Sequence, residues 1–420
     1  MRFLYNLALE TKKYAYAAHG VNISVYDLKK ELPQIKKDFE WLKEINSQSL
    51  GEALFNLDAA YDKFFDGIKD GSIKRKKESY IKNRKAKGLK IDADKLRDFG
   101  KPKFKSKHDN RHSFSVPQNF ELIGNKLWIP KFKTPIEILI HRPIKGEIRN
   151  ITISKTPSGK YFASILCETN EIIPEKKPVI AETTTGNDLG LKHFIITSEG
   201  EKIDNPKYLN ESLHKLKRLQ KQMSKKVKGS SRYNILKHKI AKLHELISNQ
   251  RKDFLHKLSD AITKHFDTIC FENLNISGMV KNHKLARAIS DVGWAMFVTF
   301  CKYKAEWRGK NILQIDTFEP STKECHNCEH INNELTLADR EWTCANCGIH
   351  HDRDENAAKV IKKKCLRDYF LGEAERSSED ANSEKSPVRL EESSIPKRRR
   401  GGKRPDEASK IRQNMLQCVA

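Results

Sequence analysis

Apolar residues recur at helical spacing through the first 70 positions, for example at Leu50, Leu54, Leu57, Tyr61 and Phe64, and predict a helical region with a break at Pro33. From Asp70 to Lys107 that periodicity fades into lysine-rich text, "GSIKRKKESYIKNRKAKGLK" and then "KPKFKSK", which reads as a basic loop or insertion. Residues 112 to 173 switch to alternation, in "NKLWIP", "IEILIH" and "IRNITISKTPSGKYFASILCE", with "PSG" as a hairpin turn; this predicts an antiparallel β unit closed as a small barrel. Beyond Val179, "TTTGNDLGLKHFIITSEGEKI" predicts two or three strands in hairpin connection. Two helical stripes follow, one on Leu209, Leu213, Leu216 and Met223, the other on Tyr233, Leu236, Ile240, Leu243 and Ile247. Joined across "KGSS", they predict an antiparallel helical hairpin with lysine-rich outer faces. Next come an apolar strand "TICFENL", a helix from Leu285 to Trp307, a strand "NILQIDTFEP", a cysteine-rich knob and a final helix beginning near Asp354. Residues 370–420 hold Ser, Glu, Lys and Arg with few apolar positions and are expected to be disordered.

Composition adds a partner. The chain has 420 residues, enough for two or three domains, and 80 Lys+Arg against 55 Asp+Glu give a net charge of +25 spread over most of its length. Such an excess exceeds what solubility needs and points to a polyanion, of which nucleic acid is the commonest. Phe104, set among Lys101, Lys103, Lys105 and Lys107, is a candidate stacking contact for a base, the alternative being a solvated linker. No apolar run approaches the ~20 residues of a membrane-spanning helix. The opening "MRFLYNLALE" is interrupted too soon by Asn6 and Glu10 for a signal peptide, so an intracellular, reducing location is expected. Of nine cysteines, five are scattered, which argues against a disulfide framework.

The other four form a motif. Cys325 and Cys328, and likewise Cys344 and Cys347, are two residues apart, with fifteen residues between the pairs. Two such knuckles supply four thiolates to a tetrahedral zinc ion and leave no open position, so the zinc is expected to be structural, worth on the order of 10 kcal/mol to a loop with almost no core. Catalysis must then come from elsewhere, and three carboxylates offer it. Asp188 lies in "GNDLG", Glu272 follows the strand "ICFE", and Asp354 opens a helix in "DRDENAAKV". Each by itself reads as a cap or a solvated strand end. The order of hairpin, helices, strand, helix, strand and helix is that of an RNase H-like α/β fold. In that fold the three would stand at the first strand, a later central strand and the closing helix. Hard oxygen ligands there can hold two Mg²⁺ ions around a scissile phosphate, and three carboxylates converge only if a cation sits between them.

"RFLYN", "KPKFKSK", "GNDLGLKHF", "CFENLNISGM", "LARAISDVGWAMF", "YKAEWRGKNI", "STKECHNC", "LADREWTCANCG" and "HDRDENAAK" together resemble the transposon-encoded OrfB, or TnpB, family of RNA-guided nucleases, relatives of the type V CRISPR effectors, over residues 1 to 365. The resemblance implies a RuvC-like domain that cuts DNA at a site chosen by a guide RNA from the element's own end, after recognition of a short motif beside the target. It implies a multidomain chain of α/β and α+β parts: a helical recognition lobe with a basic insertion at 1–111, a β-barrel wedge domain at 112–178, a RuvC-like nuclease domain at 179–369 with an inserted helical hairpin and a zinc ribbon at 320–350, and a tail at 370–420. By match of motif, Asp188, Glu272 and Asp354 are the catalytic Mg²⁺ ligands and Cys325, Cys328, Cys344 and Cys347 the zinc ligands, with Asp352 in support. A monomeric ribonucleoprotein acting on double- and single-stranded DNA, in the cytoplasm of a prokaryote and associated with its nucleoid, is implied as well.

Two features depart from the family. It normally places a β strand ahead of "RF-YN", and this chain starts at that motif, so the barrel is expected to lack its first strand, through a misassigned start or a truncation. Asn187 stands where the family has an aliphatic residue before the catalytic Asp, and a buried amide without partners costs about 1 to 3 kcal/mol. Two other functions fit the residues: an RNA-guided repressor that binds without cutting, and a transposase using the same three carboxylates.

Overall fold

A computed structural model describes residues 1–106, 112–282, 285–316, 319, 321–336 and 339–383, with side chains to residue 373. The chain forms two compact units that part between Asn170 and Glu171.

The first unit begins with helices α1 (Arg2–His19), α2 (Val25–Lys30), α3 (Leu32–Asp38) and α4 (Ser47–Lys69). Leu4, Leu9, Leu28, Leu50, Leu54 and Leu57 close a common core, which is why the apolar stripe reads as helix. Pro33 lies in the first turn of α3, where its missing N–H costs nothing. The lysine-rich stretch is helical where a loop was expected: α5 (Ser72–Ala86) and α6 (Ala93–Arg97) occupy most of it. No residue of α5 is buried, so it carries no apolar stripe to betray it; Lys, Arg and Glu are nevertheless good helix formers.

Strands β1 (His112–Val116), β2 (Glu121–Ile123), β3 (Lys126–Trp128), β4 (Ile136–Glu137), β5 (Glu147–Lys155) and β6 (Tyr161–Glu168) follow. They form two antiparallel three-stranded sheets, β1-β5-β6 and β2-β3-β4, that share a core of Val116, Leu127, Ile129 and Ile151. The expected barrel is therefore not closed among the described residues. The run "IEILIH" leaves its partner after Ile138, whose N–H donates to the Asn125 carbonyl, Leu139 is 92% exposed, and among the described residues no ladder joins β4 to β5. The "PSG" turn between β5 and β6 is as expected, with Gly159 at φ 89°.

In the second unit the element order is the one expected. Strands β7 (Thr184–Asp188), β8 (His193–Thr197) and β9 (Lys202–Asp204) lead into the helical hairpin α7 (Tyr208–Ser224) and α8 (Ser231–His265). Strand β10 (Thr268–Glu272), helices α9 (Ile276–Met279), α10 (Ala286–Val292) and α11 (Trp294–Trp307), and strand β11 (Asn311–Ile315) come next. The helix expected from Leu285 to Trp307 is broken at Gly293, at φ 79°. A short hairpin β12 (Glu341–Thr343) and β13 (His350–Asp352) precedes α12 (Arg353–Ser383). Helix α12 continues past residue 369, where the disordered tail was expected to begin; the rest of that tail lies outside the described residues.

The five strands run β11-β10-β7-β8-β9, with β10 parallel to both β7 and β11 and the β7-β8-β9 meander antiparallel. Phe194, Phe271, Phe297, Leu255 and Trp294 fill the core beneath. Among the described residues no helix is long and apolar enough to cross a membrane.

Candidate active site

Register sets the first two carboxylates side by side. Strands β7 and β10 pair in parallel from Thr184↔Thr268 to Asn187↔Phe271, so one residue further on Asp188 and Glu272 end adjacent strands with side chains on the same side. The third arrives on α12, which is drawn against β7 by Gly186: a Cβ there would stand 2.1 Å from the Ala358 carbonyl oxygen and 2.7 Å from Lys362 Cβ. Asp352 starts that helix as its cap, its Oδ1 accepting from the N–H groups of Asp354 (3.0 Å) and Glu355 (3.1 Å), while Oδ2 pairs with Lys202 Nζ at 2.6 Å.

The electrostatics tie the three together. Desolvation first, and then the negative charges of Glu272 and Asp354, together push the Asp188 carboxyl up to about 7 against the opposing charge of Arg353. Glu272 accepts from the buried Ser321 hydroxyl. Asp354 is held by Arg353 (2.9 and 3.0 Å) and by Arg340 (3.2 Å), which reaches it from the strand side of the cysteine knob. Arg353 also donates to the carbonyls of Thr336 and Asp339, so the knob and the helix start are fastened at the same guanidinium. A desolvated carboxyl among two others, all hard oxygen donors, is the environment a divalent cation such as Mg²⁺ fits. The three face one region without converging on a point. Among the described residues, the four cysteines are the set gathered closely enough to share a single ion.

Those four Sγ atoms lie within 4.8 Å of one another, with Cys325 and Cys347 at 3.7 Å and Cys328 and Cys344 at 3.5 Å. Zinc–sulfur bonds of ~2.3 Å in a tetrahedron require sulfurs ~3.8 Å apart, so the set fits zinc. Two matching turns present them: Glu329 N–H donates to the Cys325 carbonyl and Gly348 N–H to that of Cys344, with Glu329 and Gly348 both left-handed. His351 Nε2 stands 3.2 Å from Cys325 Sγ.

Asn187 is not wholly without partners. Its Nδ2 donates to the Thr185 and Cys270 carbonyls at 3.3 and 3.1 Å, and its Oδ1 alone is unpaired. Four residues that sequence reasoning did not single out now stand out: Gly186, Ser321, Arg340 and Asn356. All four lie within quoted motifs, but only the packing gives each a task.

The basic segment belongs to the first unit. Asn6 clamps Lys105 by both backbone groups (2.8 and 3.0 Å), and Arg2 donates to the Ser106 carbonyl, so "RFLYN" and "KPKFKSK" form one structure. Phe104 is half-exposed with Lys13 Nζ 4.9 Å from its ring centre; Lys105 covers Tyr5, Lys101 pairs with Asp98, and Lys103 is exposed. Lys107 lies outside the described residues.

The family model OrfB_IS605, described as a probable transposase, matches residues 164–283, and the Cas12f1-like TNB domain model matches residues 294–361. A Streptomyces pristinaespiralis protein provisionally named RNA-guided DNA endonuclease is 32% identical over 93% of this chain and 90% of its own. InsQ of Escherichia coli K12, provisionally named the same way, is 28% identical over 86% and 85%. The solved Cas12f1–sgRNA–target DNA complex aligns with a TM-score of 0.49 at 13% identity, over 86% of this chain and 80% of that one. With its four-cysteine knob, its three carboxylates and a relative of this identity along nearly its whole length, the chain belongs to the transposon-encoded OrfB/TnpB family.

Proposed function

We propose that the protein is an RNA-guided DNA endonuclease whose RuvC-like, RNase H-like second unit hydrolyses phosphodiesters at Asp188, Glu272 and Asp354. The observation that carries this is the half-buried Asp188 carboxyl, which ends β7 beside Glu272 at the end of β10 and is pushed up to about 7 by desolvation and by the charges of Glu272 and Asp354, an arrangement that serves no folding purpose. When bound, two Mg²⁺ ions supply the charge that activates a water and stabilises the leaving 3′ oxygen. Asp188 and Glu272, on paired strand ends, set the spacing of that site, and Asp354 closes it from the helix start. Arg340, half-exposed on Asp354, is free to turn from the carboxylate toward a phosphate oxygen as negative charge builds there. The cysteine ribbon holds zinc for structure alone. Names carried by the relatives, the net charge of +25 and the clamped basic segment support guide RNA and target DNA as partners of a monomeric ribonucleoprotein in a prokaryotic cytoplasm, at the nucleoid.

The test is to reconstitute the protein with RNA that co-purifies from its host and to supply matching DNA. Asp188→Ala, Glu272→Ala and Asp354→Ala are each expected to lose cleavage by a factor of about 10³ or more while retaining nucleic-acid binding, which phosphate contacts dominate. Cleavage surviving in any one removes that residue from the site. The family model's transposase description favours a second reading, strand joining at transposon ends; the absence of a bound structured RNA together with joined products would establish it.

A further inference from the structure

We propose that Asn356 is a positioning residue that transmits the state of the first cysteine knuckle to the start of α12, so that the placing of Asp354 depends on that knuckle through the Asn356 amide, beside the ties that Arg340 and Arg353 make to the rest of the ribbon; this rests on the nuclease reading of the same site. Asn356 lies two residues beyond Asp354 in the first turn of α12 and is only 2% exposed. Its Oδ1 accepts from the backbone N–H of His326 (3.0 Å) and from the ring Nδ1–H of the same residue (3.0 Å), and its Nδ2 donates to the Glu324 carbonyl at 2.6 Å. All three bonds end on the two neighbours of Cys325. The His326 ring in turn lies 5.0 Å from that of His351, whose Nε2 is 3.2 Å from Cys325 Sγ.

An amide alone can do this. It accepts and donates on one planar group, whereas a carboxylate loses the bond to Glu324 and an aliphatic residue loses all three. Among the described residues, further ties between α12 and this knuckle, Lys364 to Glu324 (2.8 Å) and Lys363 to Glu329 (2.8 Å) and to the His326 carbonyl (3.4 Å), sit two turns further on. They can keep the ribbon on the helix without fixing the rotation of its first turn. Asp354 itself bonds Arg340 and Arg353, not the knuckle, so Asn356 is the short rigid link: one turn of helix passes its position to the carboxylate.

The experiment compares full-length wild type with Asn356→Ala, reading zinc content, amide hydrogen exchange across residues 352–358, and the Mg²⁺ dependence of cleavage. The expected result is zinc retained, faster exchange over that turn, and a half-saturating Mg²⁺ concentration raised about tenfold, with the rate at saturating Mg²⁺ changed far less. A merely structural role would lower the active fraction and leave the Mg²⁺ midpoint where it was. An unchanged midpoint and unchanged exchange in a folded variant overturn the proposal. Should Asn356→Ala not fold, Asn356→Asp and His326→Ala carry the test, each expected to raise the midpoint with zinc in place. The Asn356→Asp/His326→Ala double variant should do no worse than the stronger single, and additive shifts would overturn the link. Hydrogen exchange reads the link without cleavage, so a wild type that cuts nothing would sink the nuclease reading and leave this one to be decided by exchange alone.

Discussion

Gly186 governs how near the closing helix comes to the first strand. A methyl group there would overlap the Ala358 carbonyl, which belongs to rigid helix backbone and cannot turn aside. Gly186→Ala is therefore expected to cost about 3 kcal/mol of stability, seen as a fall in melting temperature, and to separate Asp354 from Asp188 enough to abolish cleavage. A variant that melts and cuts like wild type would show that the two elements have room to spare. Asp188 makes a second expectation. Its carboxyl ionises near 7 instead of its ordinary 3.8, so the folded state favours the protonated form: that contribution to stability is full below about pH 4 and is lost as pH rises through 7. Since metal needs the ionised form, half-saturating Mg²⁺ should climb as pH falls below 7, by up to about tenfold per unit for one displaced proton. A midpoint flat between pH 6 and 8 would remove Asp188 as the titrating ligand.

At the scale of elements, the zinc ribbon is fastened to α12 rather than tethered beside it. Arg353 holds the carbonyls of Thr336 and Asp339, Asn356 holds Glu324 and His326, and Lys364 is buried against Glu324. The cluster it builds on itself is small, with Leu335 and Trp342 beside the cysteines, so under the proposed zinc assignment the ribbon is expected to need the metal for folding. Cys344→Ser should release zinc and lose cleavage, yet leave the five-stranded sheet intact, because among the described residues the core of Phe194, Phe271 and Phe297 takes nothing from the ribbon. Metal analysis and far-ultraviolet circular dichroism in parallel would check both halves. A wild-type protein purified without zinc would refute the assignment. In the first unit, "RFLYN" and "KPKFKSK" are one element in space. The side chain of Asn6 bonds both backbone groups of Lys105, so a segment that reads as loosely charged text is held in a set conformation with Phe104 half-exposed.

Across the whole molecule the excess positive charge makes binding an electrostatic matter. Affinity for nucleic acid should fall steeply and linearly on logarithmic axes as salt rises, whereas the cleavage rate of bound complex should be nearly insensitive to it. A salt-independent affinity would argue against phosphate contacts as its source. How much of this was legible in the text follows a physical division. Period and spacing are local, and they were readable: the apolar stripes of α4 and α8, the alternation of β5 and β6, and the two cysteine pairs each declare themselves within a few residues. A helix without an apolar face, such as α5, carries no such signal, because solvent makes no demand on its pattern. Closure of a sheet is equally silent, since it depends on whether distant edges meet, and among the described residues the two three-stranded sheets do not join. From its sequence alone the chain declared which residues could ligate zinc and which carboxylates could serve a nuclease. Tertiary structure alone decided that Gly186 lets α12 approach β7, that Arg340 meets Asp354 and that Asn356 binds the knuckle. Each of those is a contact between segments far apart in the chain, whose geometry no local pattern encodes.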